Sequence, residues 1–172
     1  MNKINDIMQM GFRITWRVIA IGLFGEAYIT PQLSKDDVYE YLDSLLTVPS
    51  AETDKIIKLI CERDDNIKTD QMITFFAELE NADLELQLRK WRAYLLKRIL
   101  DEGKEDFMRS LLDLTEFWVS LGMPNDSPHE YPTKNNVEKE YFTEETFFKL
   151  KSKSENWLLN EIQFINSLEH TT

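Results

Sequence analysis

The sequence predicts an all-α fold: a single domain over residues 1–172, a bundle of six or seven helices, with stacked helical hairpins as the alternative packing. Three observations lead there. Apolar residues recur at spacings of three and four along most of the chain, the signature of a helix with one dry face. Glycine and proline number only 5 each among 172 residues, too few for a collagen-like, Gly-loop or turn-dense all-β architecture. The chain is 42% hydrophobic and 12% aromatic, enough to build a core and too apolar for intrinsic disorder. No repeat of fixed period runs through it, which leaves a solenoid array as the lesser alternative.

The first predicted helix starts at Thr15, whose hydroxyl can cap it, and carries Trp16, Ile19 and Leu23 with Val18, Ile21 and Phe24 on adjoining rows. Apolar side chains on nearly all sides imply burial on most faces. Ser34, followed three residues later by Asp37, resembles a capping box and opens a helix to about Leu46. Its inner stripe is Val38, Tyr41, Leu42 and Leu45, while Asp36, Glu40 and Asp43 follow the same spacing on a face turned to water. Ser50 can cap a short helix with Ile56, Ile57, Leu59 and Ile60, and Thr69 another with Met72, Ile73, Phe75, Phe76 and Leu79.

The longest regular helix is expected from Asp83 to Gly103, kept dry on one side by Leu84, Leu88, Trp91, Leu95 and Ile99. A second, from about Glu105 to Leu121, repeats the device with Phe107, Leu111, Leu114 and Trp118 and stops at Gly122 and Pro124, so the two read as an antiparallel hairpin. Residues 122–142 hold three prolines and no helical period and form the one long predicted loop. Thr143 then caps a last helix through Phe147, Leu150, Trp157, Leu158, Ile162 and Ile165 to about Leu168.

One cysteine, Cys61, allows no intramolecular disulfide, which favours a cytoplasmic location; within IIKLICER it reads as a small buried hydrophobe. The most apolar stretch, Val18 to Phe24, is too short to cross a bilayer, where roughly 20 apolar residues are needed. It also lacks the pattern of a signal peptide, so no membrane association is expected.

No catalytic signature is present, and no cofactor or metal is expected. His129 and His170 are far from Cys61, no HExxH or clustered His/Cys set occurs, and Asp64-Asp65-Asn66 lacks the glycine and terminal glutamate of an EF-hand. The adjacent acids Asp36/Asp37, Asp64/Asp65 and Glu144/Glu145 fall at helix ends or joints, where exposure gives neither member the raised pKa of a general acid. The basic, aromatic stretch LRKWRAYLLKR at residues 88–98 could clamp a nucleic acid, but Trp91 and Leu95 belong to a dry stripe and Glu85 precedes Arg89 by one turn, so intramolecular pairing is the stronger reading.

With 20 Lys and Arg against 31 Asp and Glu the chain carries −11, which repels the phosphate backbone and argues against nucleic-acid partners. The acid is concentrated: residues 31–67 carry a net −5 and residues 103–172 a net −6. Such a field steers a basic protein partner. The leading expectation is therefore a non-enzymatic acidic binding protein, monomer or homodimer, in its most concrete form an immunity protein that neutralises a basic bacterial toxin. Its partner-binding candidates are Asp36, Asp37, Glu40 and Asp43, with Tyr39 and Tyr131 as aromatic anchors and Glu138 and Glu140 in the loop. Two alternatives stand beside it: an enzyme or small-ligand binder with Trp16, Arg92, His129 and Tyr131 around a pocket beneath the 122–142 loop, and a homo-oligomeric helical scaffold.

The run ITWRVIAIGLFGEAYITPQLSKDDVYEYLDSLL, the later LRKWRAYLLKRIL and the tail LTEFWVSLGMPNDSPHEYP with EYFTEETFFKL and NWLLNEI together resemble the bacterial family known as domain of unknown function 2247. The matching features are Trp16 and Gly22 before Ile29-Thr30-Pro31, Trp91 in the mid-chain helix, and Gly122-Met123-Pro124 after an aromatic helix. The resemblance implies an all-helical, single-domain, cytoplasmic bacterial protein and transfers no catalytic residues.

Overall fold

A computed structural model describes residues 2–47, 50–103, 106–131 and 141–170. Among them are eight helices: α1 (Lys3–Gln9), α2 (Trp16–Phe24), α3 (Lys35–Leu45), α4 (Thr53–Cys61), α5 (Asn66–Glu80), α6 (Leu84–Asp101), α7 (Phe107–Ser120) and α8 (Glu144–His170). No strand occurs among the described residues; Glu26 and Ile29 form one isolated bridge. The all-α expectation holds, and the count rises from six or seven to eight because α1 escapes the sequence pattern. With 7 residues, α1 offers only Ile4 and Ile7 to a core, too few to show a period; Asn2 caps it by accepting the Ile4 N–H.

The chain divides into two compact units, Met1–Trp91 and Arg92–Thr172, the division falling within α6. In the first unit α2 packs on α5, α1 on α3, and α3 and α5 each on α4. Thr15 caps α2 through the Val18 N–H, as its sequence position predicts. Ser34 and Asp37 form a complete capping box on α3. The cap of α5 is Asp65, not Thr69; Asp65 accepts from Lys68 N, while Thr69 is buried in the first turn and bonds the Glu62 carbonyl. A helix N-terminus takes whichever polar side chain reaches its open N–H groups first, and the acid lies four residues earlier.

Gly22 permits a close approach in this unit. A Cβ there would lie 2.4 Å from Trp91 Cζ2 and 2.6 Å from Leu33 Cδ1. Trp91 is fully buried and donates its indole N–H to the Val18 carbonyl at 2.9 Å, so the missing side chain lets the ring lie against α2. Lys90 is buried beside it, with Nζ on the Arg13 carbonyl and on Gln87 Oε1, each at 2.8 Å.

In the second unit α7 packs on α8, which at 27 residues is the longest described helix, a place the sequence pattern assigned to α6. Asp106 caps α7 and Thr143 caps α8. The buried Trp118 meets Trp157 edge-on at 5.1 Å. Arg92 lies 4.8 Å above the Trp157 ring and pairs with Glu161 at 3.1 Å and Asp126 at 2.9 Å. Lys97 and Asp101 add a pair on α6. The basic stretch at residues 88–98 thus places two of its cations, Lys90 and Arg92, inside on intramolecular partners, the arrangement preferred over a nucleic-acid clamp. Cys61 departs from expectation: it is exposed, because Ile56 and Leu59 turn the dry face of α4 inward and leave Ile57 and Cys61, one turn apart, on the outer row.

Candidate binding surface, cavity and loop anchor

The α3 capping box fixes where that helix begins. Val38, Tyr41 and Leu42 are buried, and Asp36, Glu40 and Asp43 emerge on the solvent side, as their spacing predicts. Glu40 accepts from Asn2 Nδ2 at 3.2 Å, and Asp43 pairs with Arg63 at 3.2 Å. Asp37 serves the box: its Oδ2 accepts from the Ser34 N–H and hydroxyl, both at 2.8 Å. Burial acts to raise its pKa, but the Ser34 bonds and the Lys3 charge hold the carboxyl below its ordinary value.

The aromatic anchors fare differently. Tyr39 is 3% exposed, shares a 3.0 Å hydrogen bond with Thr69 Oγ1 and lies 4.3 Å beneath the Arg63 guanidinium, so it is a packing residue and no surface anchor. It sits three residues before Leu42 and therefore flanks the inner stripe, a signal that a broader reading of that stripe contains. Tyr131 is half-buried with its ring edge-on to His129 at 4.9 Å. Glu138 and Glu140 lie outside the described residues.

His129 anchors the described part of the long loop. Its buried ring meets the Tyr141 hydroxyl at 2.8 Å and Thr115 Oγ1 at 3.2 Å through Nε2, and Thr115 in turn donates to the Leu111 carbonyl at 2.7 Å. Burial lowers the imidazole pKa to about 4, against the opposing charge of Glu130. The ring is therefore neutral near pH 7 and ties the described end of the loop to Thr115 on α7 and to Tyr141, three residues before α8. Glu130 next to it binds Lys149 and Lys153 on α8, and those bonds lower its carboxyl to about 2.

The first unit also holds a cavity of about 240 Å³. Trp16, Tyr41, Glu52 and Glu80 are among its lining residues. The Trp16 indole donates to Glu52 Oε2 at 2.9 Å, and Lys55 reaches both Glu52 oxygens, at 2.9 and 3.0 Å. The indole bond leads, with Lys55 behind it, in holding the Glu52 carboxyl below its usual value in spite of partial burial. Burial raises the Tyr41 pKa. Of the four residues expected around one pocket, Trp16 lines this cavity, whereas Arg92, His129 and Tyr131 are engaged in the second unit as described.

Among the described residues no group of three or more His, Cys, Asp or Glu side chains could hold a metal ion. No described helix is long and apolar enough to cross a membrane.

The family model described as "Uncharacterized protein conserved in bacteria (DUF2247)" matches residues 4–162. The chain belongs to this family. The DUF2247 match runs from α1 well into α8 and so covers most of both units. No curated protein matches the chain, and no solved structure does. Site assignments in this DUF2247 member therefore rest on its own geometry.

Besides α1, the sequence pattern left a second apolar row of the first unit unread. Ile67, Phe75 and Leu79 stand out from α5 into solvent, although the helix also buries Ile73, Phe76 and Ala77. The signal was present as a second row, 67, 71, 75 and 79, spaced by four and separate from 69, 73 and 76.

Proposed function

We propose that this protein is a non-enzymatic acidic binding protein for a basic protein partner, and specifically an immunity protein that neutralises a basic bacterial toxin. The observation that carries the reading is how charge is distributed between inside and outside. Lys90 and Arg92 are buried on intramolecular partners, while Asp36, Glu40 and Asp43 stand exposed in one row on α3 of a chain carrying −11. An exposed acidic row on a chain of net −11 presents a negative field to a cationic partner, which raises its on-rate and orients the encounter. The candidate surface is that row with Asp37 at its base; Tyr39 drops out. A cytoplasmic site of action goes with this reading, since an exposed lone thiol at Cys61 is kept reduced there.

The test is a titration of the purified chain, across a salt series, with whatever basic protein its neighbouring coding sequences specify; neighbours that encode no basic, toxic product count against the immunity reading. Replacing Asp36, Glu40 and Asp43 together by Lys should weaken association at least tenfold and flatten its salt dependence. Wild-type affinity with an unchanged salt slope would remove this surface from the proposal. The cavity beside Trp16 supports a second reading, small-ligand binding, because apolar walls there converge with the carboxylates of Glu52 and Glu80. A Trp16→Phe variant whose thermal shift by every member of a metabolite panel matches wild type would count against it.

A further inference from the structure

The exposed side of α5 is built as a docking groove. Phe24 at the end of α2 and Phe75 on α5 line an open groove of about 430 Å³ with Asp70, Gln71, Thr74 and Glu78. Phe24 is 42% exposed and Phe75 57%, and the same face of α5 continues into Leu79 at 61% and, one turn before Gln71, Ile67 at 72%. Scattered apolar side chains on a surface need no explanation, but four large ones on and beside one helical row form a patch. Helix α5 is thus apolar on two sides, and its inner side alone satisfies the packing against α2.

We infer that this groove receives a basic amphipathic helix of the partner protein, an inference that rests on the proposed function and gives its interface an apolar centre. The i, i+4 row of Ile67, Gln71, Phe75 and Leu79 is a ridge of the kind that packs beside a partner helix, with the two phenylalanines as anchors. Charge selects the occupant. The ionisable side chains lining the groove, Asp70 and Glu78, are both acids. Lys35 at the start of α3 pairs with Asp70 at 2.7 Å and offsets its charge, so Glu78 and the chain's overall −11 carry the charge argument. A second copy would bring another acid-lined groove and another −11 against the first, which disfavours self-association. A helix with leucines on one side and lysines on the other meets both the aromatic floor and the acidic border.

The probe is a synthetic 14-residue helical peptide with leucines at i, i+3, i+4 and i+7 and lysines elsewhere, compared by fluorescence anisotropy with a counterpart carrying glutamate for lysine. The lysine peptide should bind wild type at least tenfold tighter than the glutamate peptide. A Phe75→Ser, Leu79→Ser variant, altered only at exposed positions and checked for helicity by circular dichroism, should lose at least tenfold in affinity for it. Equal binding of both peptides, or no loss in the variant, overturns the groove. A dimer in light scattering that the same variant dissolves also overturns it, in favour of a second copy. Against a basic partner identified in that way, a loss confined to the α3 charge reversal sinks the groove and leaves the proposed function standing. A loss with neither set of substitutions sinks both.

Discussion

Acidification should loosen the second unit through one side chain, His129. The ring is 6% exposed and its Nε2 is held between the Tyr141 and Thr115 hydroxyls, so a proton can be added only by charging a buried group. Its pKa falls from 6.5 to about 4, with burial as the largest cause. A base whose folded pKa is depressed binds fewer protons folded than unfolded, so its stability contribution is full above 6.5 and declines as pH falls towards 4. Linkage over that window gives a loss of about 2 kcal/mol between pH 7.5 and pH 5 and approaches ~3 kcal/mol at lower pH. Urea denaturation at pH 7.5, 6 and 5, compared between wild type and His129→Gln, isolates this contribution, because the depressed carboxyls of Asp37, Glu52 and Glu130 act at still lower pH. The wild-type midpoint should fall over the window and the variant's should stay nearly level. Parallel pH dependence in the two proteins, or an NMR titration placing the His129 imidazole near 6.5, would refute the reasoning.

Glu161→Gln should destabilise the second unit by about 3 kcal/mol, because a buried guanidinium loses the charge it was buried against; Asp126→Asn, at the exposed arm of the same Arg92 pair, should cost under about 1 kcal/mol in the same urea assay. Gly22→Ala should cost about 1–3 kcal/mol, read from the denaturation midpoint, since the rigid Trp91 ring stands where the new methyl must go. Ser34→Ala removes the acceptor for the Asp37 N–H and should lower stability by about 1 kcal/mol, while Thr69→Ala should leave the α5 cap intact and act through the lost Tyr39 bond. Cys61 should react stoichiometrically with a thiol reagent in the folded protein, and a rate that rises only on adding urea would place it in the interior.

The legible part of the fold is the part that local contacts determine. Thr15, Ser34 and Thr143 cap the helices that follow them because a cap bond spans two or three residues. Val38, Tyr41 and Leu42 turn inward, and Asp36, Glu40 and Asp43 outward, because helical geometry alone separates them. The acidic row, which is the core of the candidate surface, was readable for that reason. Helix α1 was not, since two isoleucines three apart carry no period.

The sequence by itself determined an all-helical chain, the caps at Thr15, Ser34 and Thr143 but not those read at Ser50 and Thr69, the side on which α3 shows its carboxylates, and membership in a bacterial family. Tertiary structure decided which of two apolar rows on α5 meets α2: Phe76 is buried and Phe75 left in water, although the two are neighbours in the chain. It also decided that Tyr39 bonds Thr69 across 30 residues, and that Arg92 finds Asp126 and Glu161 at separations of 34 and 69. The physical reason is range. Caps and periods act within about one helical turn, whereas the choice between two equally apolar faces, and the partner of a buried charge, is set by which distant helix packs against it.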